Sequence, residues 1–153
     1  MRVLFTGLGS IALKHLSALK SIVPNVEVVA YRSTETASNI EGVSNIFSLE
    51  KVPANIDFVL ITNPTSMHAQ TIENLLNLRC PLFIEKPVVS NPAEGDILQN
   101  KIQHLALTTY VACNMRFHPA IQFLKKEFET RKPIELSAYC GSFLPDWRPN
   151  QDY

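Results

Sequence analysis

A chain of 153 residues, 46% of them hydrophobic, is long enough for one ordinary domain with a substantial core and the beginning of a second. Its 14 basic and 14 acidic side chains cancel and form no long run of one sign, which excludes a nucleic-acid or membrane-surface partner recruited by bulk charge. Cys80, Cys113 and Cys140 are spaced too widely for a zinc knuckle or a Cys-x-x-Cys pair, so no metal site is expected and free thiols in a reducing compartment are the simplest reading. With no run of 18 apolar residues and no cleavable leader pattern, a soluble cytoplasmic protein is expected.

Along the chain, strand and helix signals alternate. Residues 2–6 form a short β-rich run, followed by the glycine turn Gly7-Leu8-Gly9-Ser10-Ile11-Ala12. Ile11, Leu13, Leu16, Leu19 and Ile22 then recur at mostly helical spacing until Pro24. Further strands are predicted at 26–31, 44–47, 57–62, 81–85 and 107–113. Met67, Ile72, Leu75, Leu76 and Leu78 mark a helix, and Asn91-Pro92-Ala93-Glu94 opens another with an N-cap and a proline at its first position. Strands so continuously apolar need cover on both faces, which implies a doubly wound parallel α/β sheet of Rossmann type. After residue 115 the rhythm changes to an amphipathic helix over 119–131, stopped by Pro133, and then a strand over 134–143. The expected division is a dinucleotide-binding domain at 1–118 and the start of an incomplete α/β domain at 119–153.

The glycine turn carries the first chemistry. Gly7 permits the tight turn, Gly9 lets the backbone approach a pyrophosphate, and the small Ala12 lets helix and strand pack closely. Ser10, Ile11 and Ala12 offer free N–H groups and the positive end of the helix dipole to phosphates. A plain structural turn is the bland alternative, but the position between a predicted strand and a predicted helix favours nucleotide binding. At the end of the second strand, Ala30-Tyr31-Arg32-Ser33 contains no carboxylate for a ribose 2'-hydroxyl. Arg32 and Ser33 could instead meet a 2'-phosphate, which favours NADP over NAD; otherwise Arg32 caps a loop in solvent.

Thr62-Asn63-Pro64-Thr65-Ser66-Met67-His68 turns from strand into helix where ligands of open parallel sheets lie, so Thr62, Asn63, Pro64 and His68 are expected beside the cofactor. A histidine in the first turn of a helix is otherwise a packing or hydrogen-bonding residue. Glu85-Lys86-Pro87 closes the fifth predicted strand. The proline holds Lys86 extended and favours a cis bond. An ammonium delivered beside a nicotinamide could stabilise a developing alkoxide or share its proton; alone, such a Lys-Pro is an ordinary surface feature.

In order, Gly7-x-Gly9-Ser10-Ile11-Ala12-x-x-His15, Thr62-Asn63-Pro64-Thr65-x-x-His68, Glu85-Lys86-Pro87 and Asn114-x-Arg116-Phe117-x-Pro119 resemble the Gfo/Idh/MocA oxidoreductases. The resemblance implies an N-terminal Rossmann domain, a C-terminal α/β domain, and hydride transfer between NAD(P) and a sugar or cyclitol hydroxyl. By position it makes Lys86 the catalytic-site lysine, Glu85 its cofactor-side neighbour, and Asn114 and Arg116 part of the segment returning to the nicotinamide pocket. The stretch from Gly141 to Pro149 is similar to members associated with nucleotide sugars, and Trp147 and Arg148 are candidate substrate-pocket residues. Family members continue into a segment with an aspartate and a proton-carrying histidine that this sequence does not contain. The expectation is thus the cofactor half of a sugar oxidoreductase, homo-oligomeric in full-length form. Two alternatives stand beside it, a non-catalytic NADP-binding module and a structural partner in an oligomer.

Overall fold

The computed structural model describes residues 1–36, 38–132, 135–139 and 141. In chain order it forms β1 (Arg2–Thr6), α1 (Ser10–Ile22), β2 (Glu27–Tyr31), β3 (Val43–Ile46), β4 (Phe58–Ile61), α2 (His68–Leu75), β5 (Leu82–Ile84), α3 (Pro92–His104), β6 (Thr109–Val111) and α4 (Pro119–Thr130). The six strands make one parallel sheet in the order β3-β2-β1-β4-β5-β6. The chain winds outward from β1 in one direction, returns, and winds outward from β4 in the other. The carboxyl ends of β1 and β4 therefore border the point where the winding reverses, the place at which open α/β sheets open a crevice.

Alternation along the strands separates two cores. Val3 and Phe5 of β1 turn to the face covered by α1, where they pack with Ala12, Leu16, Val28, Ala30 and Leu60. Leu4 turns to the opposite face and joins Val59, Ile61, Leu82 and Ile84 beneath Ile72 and Leu75 of α2 and Leu98 of α3. Of the apolar spacing that predicts α1, only Leu16 is buried and Leu19 half-buried, while Ile11, Leu13 and Ile22 are exposed, and the small Ala12 completes the buried face. Helix α3 starts where Asn91 Oδ1 accepts from the Ala93 N–H at 3.1 Å ahead of Pro92.

Several element limits differ from the sequence expectation. The strand predicted over 107–113 is only Thr109–Val111, because its ladder with β5 holds just the pairs from Leu82 with Thr109 to Ile84 with Val111. The helix predicted through Leu78 is α2 flanked by 3-10 turns at Thr65–Met67 and Leu76–Leu78; Arg79 ends it in the left-handed region at φ 54°. The strand expected over 134–143 is not formed at residues 135–139, for which no strand among the described residues supplies a ladder, and its other residues except 141 lie outside the described residues.

The chain divides into two compact units between Cys113 and Asn114. The second begins with a 3-10 turn, Asn114–Phe117, and continues as α4. His118 caps α4, its Nδ1 accepting from the Ala120 N–H at 3.2 Å, with Pro119 at the first helical position. Among the described residues, no helix is long and apolar enough to cross a membrane.

Candidate functional site: the crevice at the carboxyl edge of the sheet

The first glycine of the turn and the second are glycines for different reasons. Gly7 has φ 89°, a conformation that strains any residue with a Cβ, and its N–H donates to the Tyr31 carbonyl at 2.8 Å. Gly9 caps α1 in extended backbone, φ −75° and ψ −176°, which any residue adopts. A Cβ built on Gly9 would meet no protein atom within 4 Å, so nothing inside the protein requires a glycine there. No side chain caps the helix at this end, and its first turn carries no acidic residue. The arrangement is an uncapped helix N-terminus behind a backbone stripped of its Cβ on the open side. It fits the pyrophosphate of a dinucleotide, which needs close backbone approach and N–H donors.

Next to this cradle, the carboxyl ends of β1 and β4 are bolted together by polar side chains. The Thr6 hydroxyl, 1% exposed, lies 3.3 Å from the Leu60 carbonyl and 3.2 Å from Asn63 Oδ1, and accepts from the Thr62 N–H at 3.2 Å. The Thr62 hydroxyl is within reach of the carbonyls of Thr6 at 3.1 Å and Gly7 at 3.2 Å. Asn63 Nδ2 donates to the Thr71 hydroxyl at 2.8 Å, tying the turn to α2. Thr62 and Asn63, expected beside a cofactor, have these side-chain polar groups engaged inside the protein.

His68 takes the hydrogen-bonding role that stood as its alternative. It is 1% exposed, with Nε2 2.8 Å from the Asn63 carbonyl and Nδ1 3.1 Å from that of Pro87 and 3.2 Å from that of Val88. Both ring nitrogens thus face backbone oxygens, and the ring joins the turn after β4 to the turn after β5 instead of presenting an edge to a ligand. A polar side chain so buried needs such partners, and here they are supplied by residues 19 and 20 positions away.

Lys86 leaves the end of β5 exposed, and the Lys86–Pro87 bond is cis. Its neighbour Glu85 is anchored three ways. The Glu85 N–H donates to the Ile61 carbonyl at 3.0 Å, Oε1 lies 2.6 Å from His15 Nε2, and Oε2 accepts from the Lys86 N–H at 3.2 Å. The Glu85 carboxylate, expected on the cofactor side, is consequently engaged by α1 and by the backbone of Lys86.

At the end of β2, the Arg32 N–H donates to the Ile46 carbonyl and one guanidinium nitrogen to the Ser38 carbonyl, both at 2.9 Å, while Ser33 is exposed. Gly7 thus meets Thr62 and Asn63 at the switch point, where Gly9, Ser10, Ile11 and Ala12 follow into α1, while Glu85 and Lys86 follow β5 on one side and Arg32 and Ser33 follow β2 on the other. Asn114 and Arg116 fall in the exposed 3-10 turn of the second unit, where the Arg116 carbonyl accepts from Gln122 Nε2 at 2.8 Å. Trp147 and Arg148 lie outside the described residues. Sequence reasoning missed Thr6, Thr71 and the partner of His15; the one local signal was a hydroxyl directly after the apolar run Val3-Leu4-Phe5.

A six-stranded parallel sheet wound in this order, with a glycine cradle at its switch point, defines the class of NAD-binding Rossmann proteins. The family model described as an oxidoreductase family with an NAD-binding Rossmann fold matches residues 1–113, and the chain belongs to that Gfo/Idh/MocA family. It is 28% identical over 132 residues to the 4-carboxy-2-hydroxymuconate-6-semialdehyde dehydrogenase of a Sphingobium species, covering 81% of this chain and 42% of the relative. It is also 28% identical over 129 residues to the UDP-N-acetylglucosamine 3-dehydrogenase of Acidithiobacillus ferrooxidans, covering 82% and 41%. Among solved structures it is similar to the WlbA dehydrogenase of Thermus thermophilus in complex with NAD and UDP-GlcNAcA, with TM-score 0.73, 25% identity, and coverage of 87% of this chain and 48% of that one. The chain spans about two fifths of the length of these curated relatives.

Proposed function

We propose that this chain is the cofactor-binding part of an oxidoreductase that moves a hydride between a nicotinamide dinucleotide and a sugar, nucleotide-sugar or cyclitol hydroxyl, with NADP preferred to NAD. The observation that carries the reading is Gly9, where an unstrained backbone with open space at the Cβ position heads an uncapped helix. When bound, the nicotinamide supplies the hydride chemistry. Gly9 and the N–H groups of Ser10, Ile11 and Ala12 hold the pyrophosphate, Arg32 and Ser33 take the 2'-phosphate, and the Thr62–Pro64 turn walls the crevice. The ammonium of Lys86 would donate to the substrate oxygen and lower the cost of its alkoxide form, or, in the reducing direction, give that oxygen a proton and be left as the neutral amine. By the family resemblance, Asn114 and Arg116 are the further nicotinamide-side candidates, and Trp147 and Arg148 the substrate-side candidates. Free thiols at Cys80 and Cys113 agree with a cytoplasmic setting, and the complete protein acts as a homo-oligomer.

Titration with NADPH and NADH, followed by the fluorescence of the reduced nicotinamide, tests the reading. Tighter binding of NADPH is expected, and weakened by Arg32→Ala. A clear preference for NADH overturns the NADP assignment, and no binding of either overturns the cofactor site.

A further inference from the structure

We infer that His15 is a positioning residue for Lys86, acting from α1 through the carboxylate of Glu85; the inference rests on the reading of Lys86 as the substrate-side lysine. A carboxylate only accepts, so the 2.6 Å contact requires the proton on His15 Nε2, which donates to Glu85 Oε1. The two side chains are 23% and 12% exposed, and little water competes for the bond. The second oxygen, Oε2, takes the Lys86 N–H at 3.2 Å, while the Glu85 N–H is held by β4. With one oxygen fixed by a helix and the other by the lysine's own backbone, the carboxylate cannot rotate without releasing one of them.

The imidazole is itself held. Its edge meets the ring of Phe83 on β5, with centroids 5.2 Å apart and planes at 76°. His15 thus sits between the strand that delivers Lys86 and the helix whose N-terminus forms the phosphate cradle. The consequence is a register between two parts of the crevice 70 residues apart in sequence. The helix that receives the pyrophosphate also fixes the backbone from which Lys86 extends. Among the described residues the Lys86 ammonium makes no ion pair, so its direction is set by that backbone. A packing role would be served by the ring against Phe83, whereas a positioning role needs the N–H donor, and two substitutions separate them.

His15→Gln keeps an N–H donor and loses the ring; His15→Phe keeps the ring and loses the donor. Lysines of the full chain are dimethylated with carbon-13, the Lys86 signal is assigned by its loss in Lys86→Arg, and spectra are taken with and without NADPH. His15→Gln is expected to leave the Lys86 signal at its wild-type position, and His15→Phe to shift it. The opposite pattern, or an equal response in both variants, overturns the inference. Should His15→Phe not fold, Glu85→Gln decides. Its amide can accept only one of the two N–H groups, so the Lys86 signal shifts, and an unmoved signal overturns the inference. Absence of any NADPH effect on wild-type protein would instead strike the cofactor reading, leaving the ligand-free spectra to decide on His15.

Discussion

Replacement of Gly9 by serine separates what the protein needs at this position from what a ligand needs. Serine is a good N-cap, and it restricts the unfolded chain more than glycine does. The cap effect is a few tenths of a kcal/mol and the entropy effect about 0.4–1 kcal/mol, a combined gain of about 1 kcal/mol. The backbone at φ −75° accepts the residue, and its Cβ meets no protein atom within 4 Å. In a chain of this length that gain raises Tm by about 2–4 °C. On the proposed reading the same Cβ stands where the phosphates approach, and the new hydroxyl competes for the N–H groups of the first turn. Loss of one hydrogen bond to a charged group costs about 1.5–3 kcal/mol, roughly a 10- to 150-fold rise in Kd. Gly7→Ala, at φ 89°, is the control with the opposite signature: a stability loss of about 1–2 kcal/mol whether or not cofactor is present. Thermal unfolding gives the first quantity, and fluorescence titration with NADPH or NADH the second. Wild-type affinity in a stabilised Gly9→Ser protein would refute close phosphate approach at this glycine.

Two further predictions concern the buried groups. Burial pushes the Cys80 thiol up, assisted by the charge of Asp57 and opposed by a smaller backbone hydrogen-bond effect. A thiol whose pKa is raised on folding contributes stability that is complete below the ordinary thiol range and is lost as pH climbs from that range through the raised value. Wild-type stability should therefore fall more steeply above about pH 8.5 than that of Cys80→Ala, measured by urea unfolding; parallel curves would contradict the burial effect. Removing the His68 ring by His68→Leu takes from the carbonyls of Asn63, Pro87 and Val88 the ring nitrogens that face them. A stability loss of about 2–3 kcal/mol is expected in denaturant titration, and a change below about 0.5 kcal/mol would show that water replaces the ring.

What could be read in the sequence was whatever depends on near neighbours. The run of residues 2–6, the glycine turn and the spacing of Ala12 and Leu16 lie within one strand–turn–helix, and they form it. The loop contact that stood as the alternative for Arg32 is local in the same way, its partner Ser38 being six residues away. The roles of Thr62, Asn63, His68 and Glu85 were not. Each is a polar residue at a strand end or helix start, where a cofactor contact and an internal brace look alike in one dimension. The partners that decide are distant: Thr6 for Thr62, Pro87 for His68 and His15 for Glu85. The overlong β6 has a related origin, since the β-rich run of residues 107–113 marks where a strand can form, while the length of an edge strand is set by how much of β5 remains to pair with it.

The contact between Arg32 and Ser38 has a practical side. Because the loop after β2 is closed by a bond to itself, its residues 33–36 can be exchanged as a cassette with the sheet left intact. The end of β5 offers no such freedom, since a graft there must carry α1 with it. Retargeting one end of the crevice is a loop exchange; retargeting the other is a redesign of the domain.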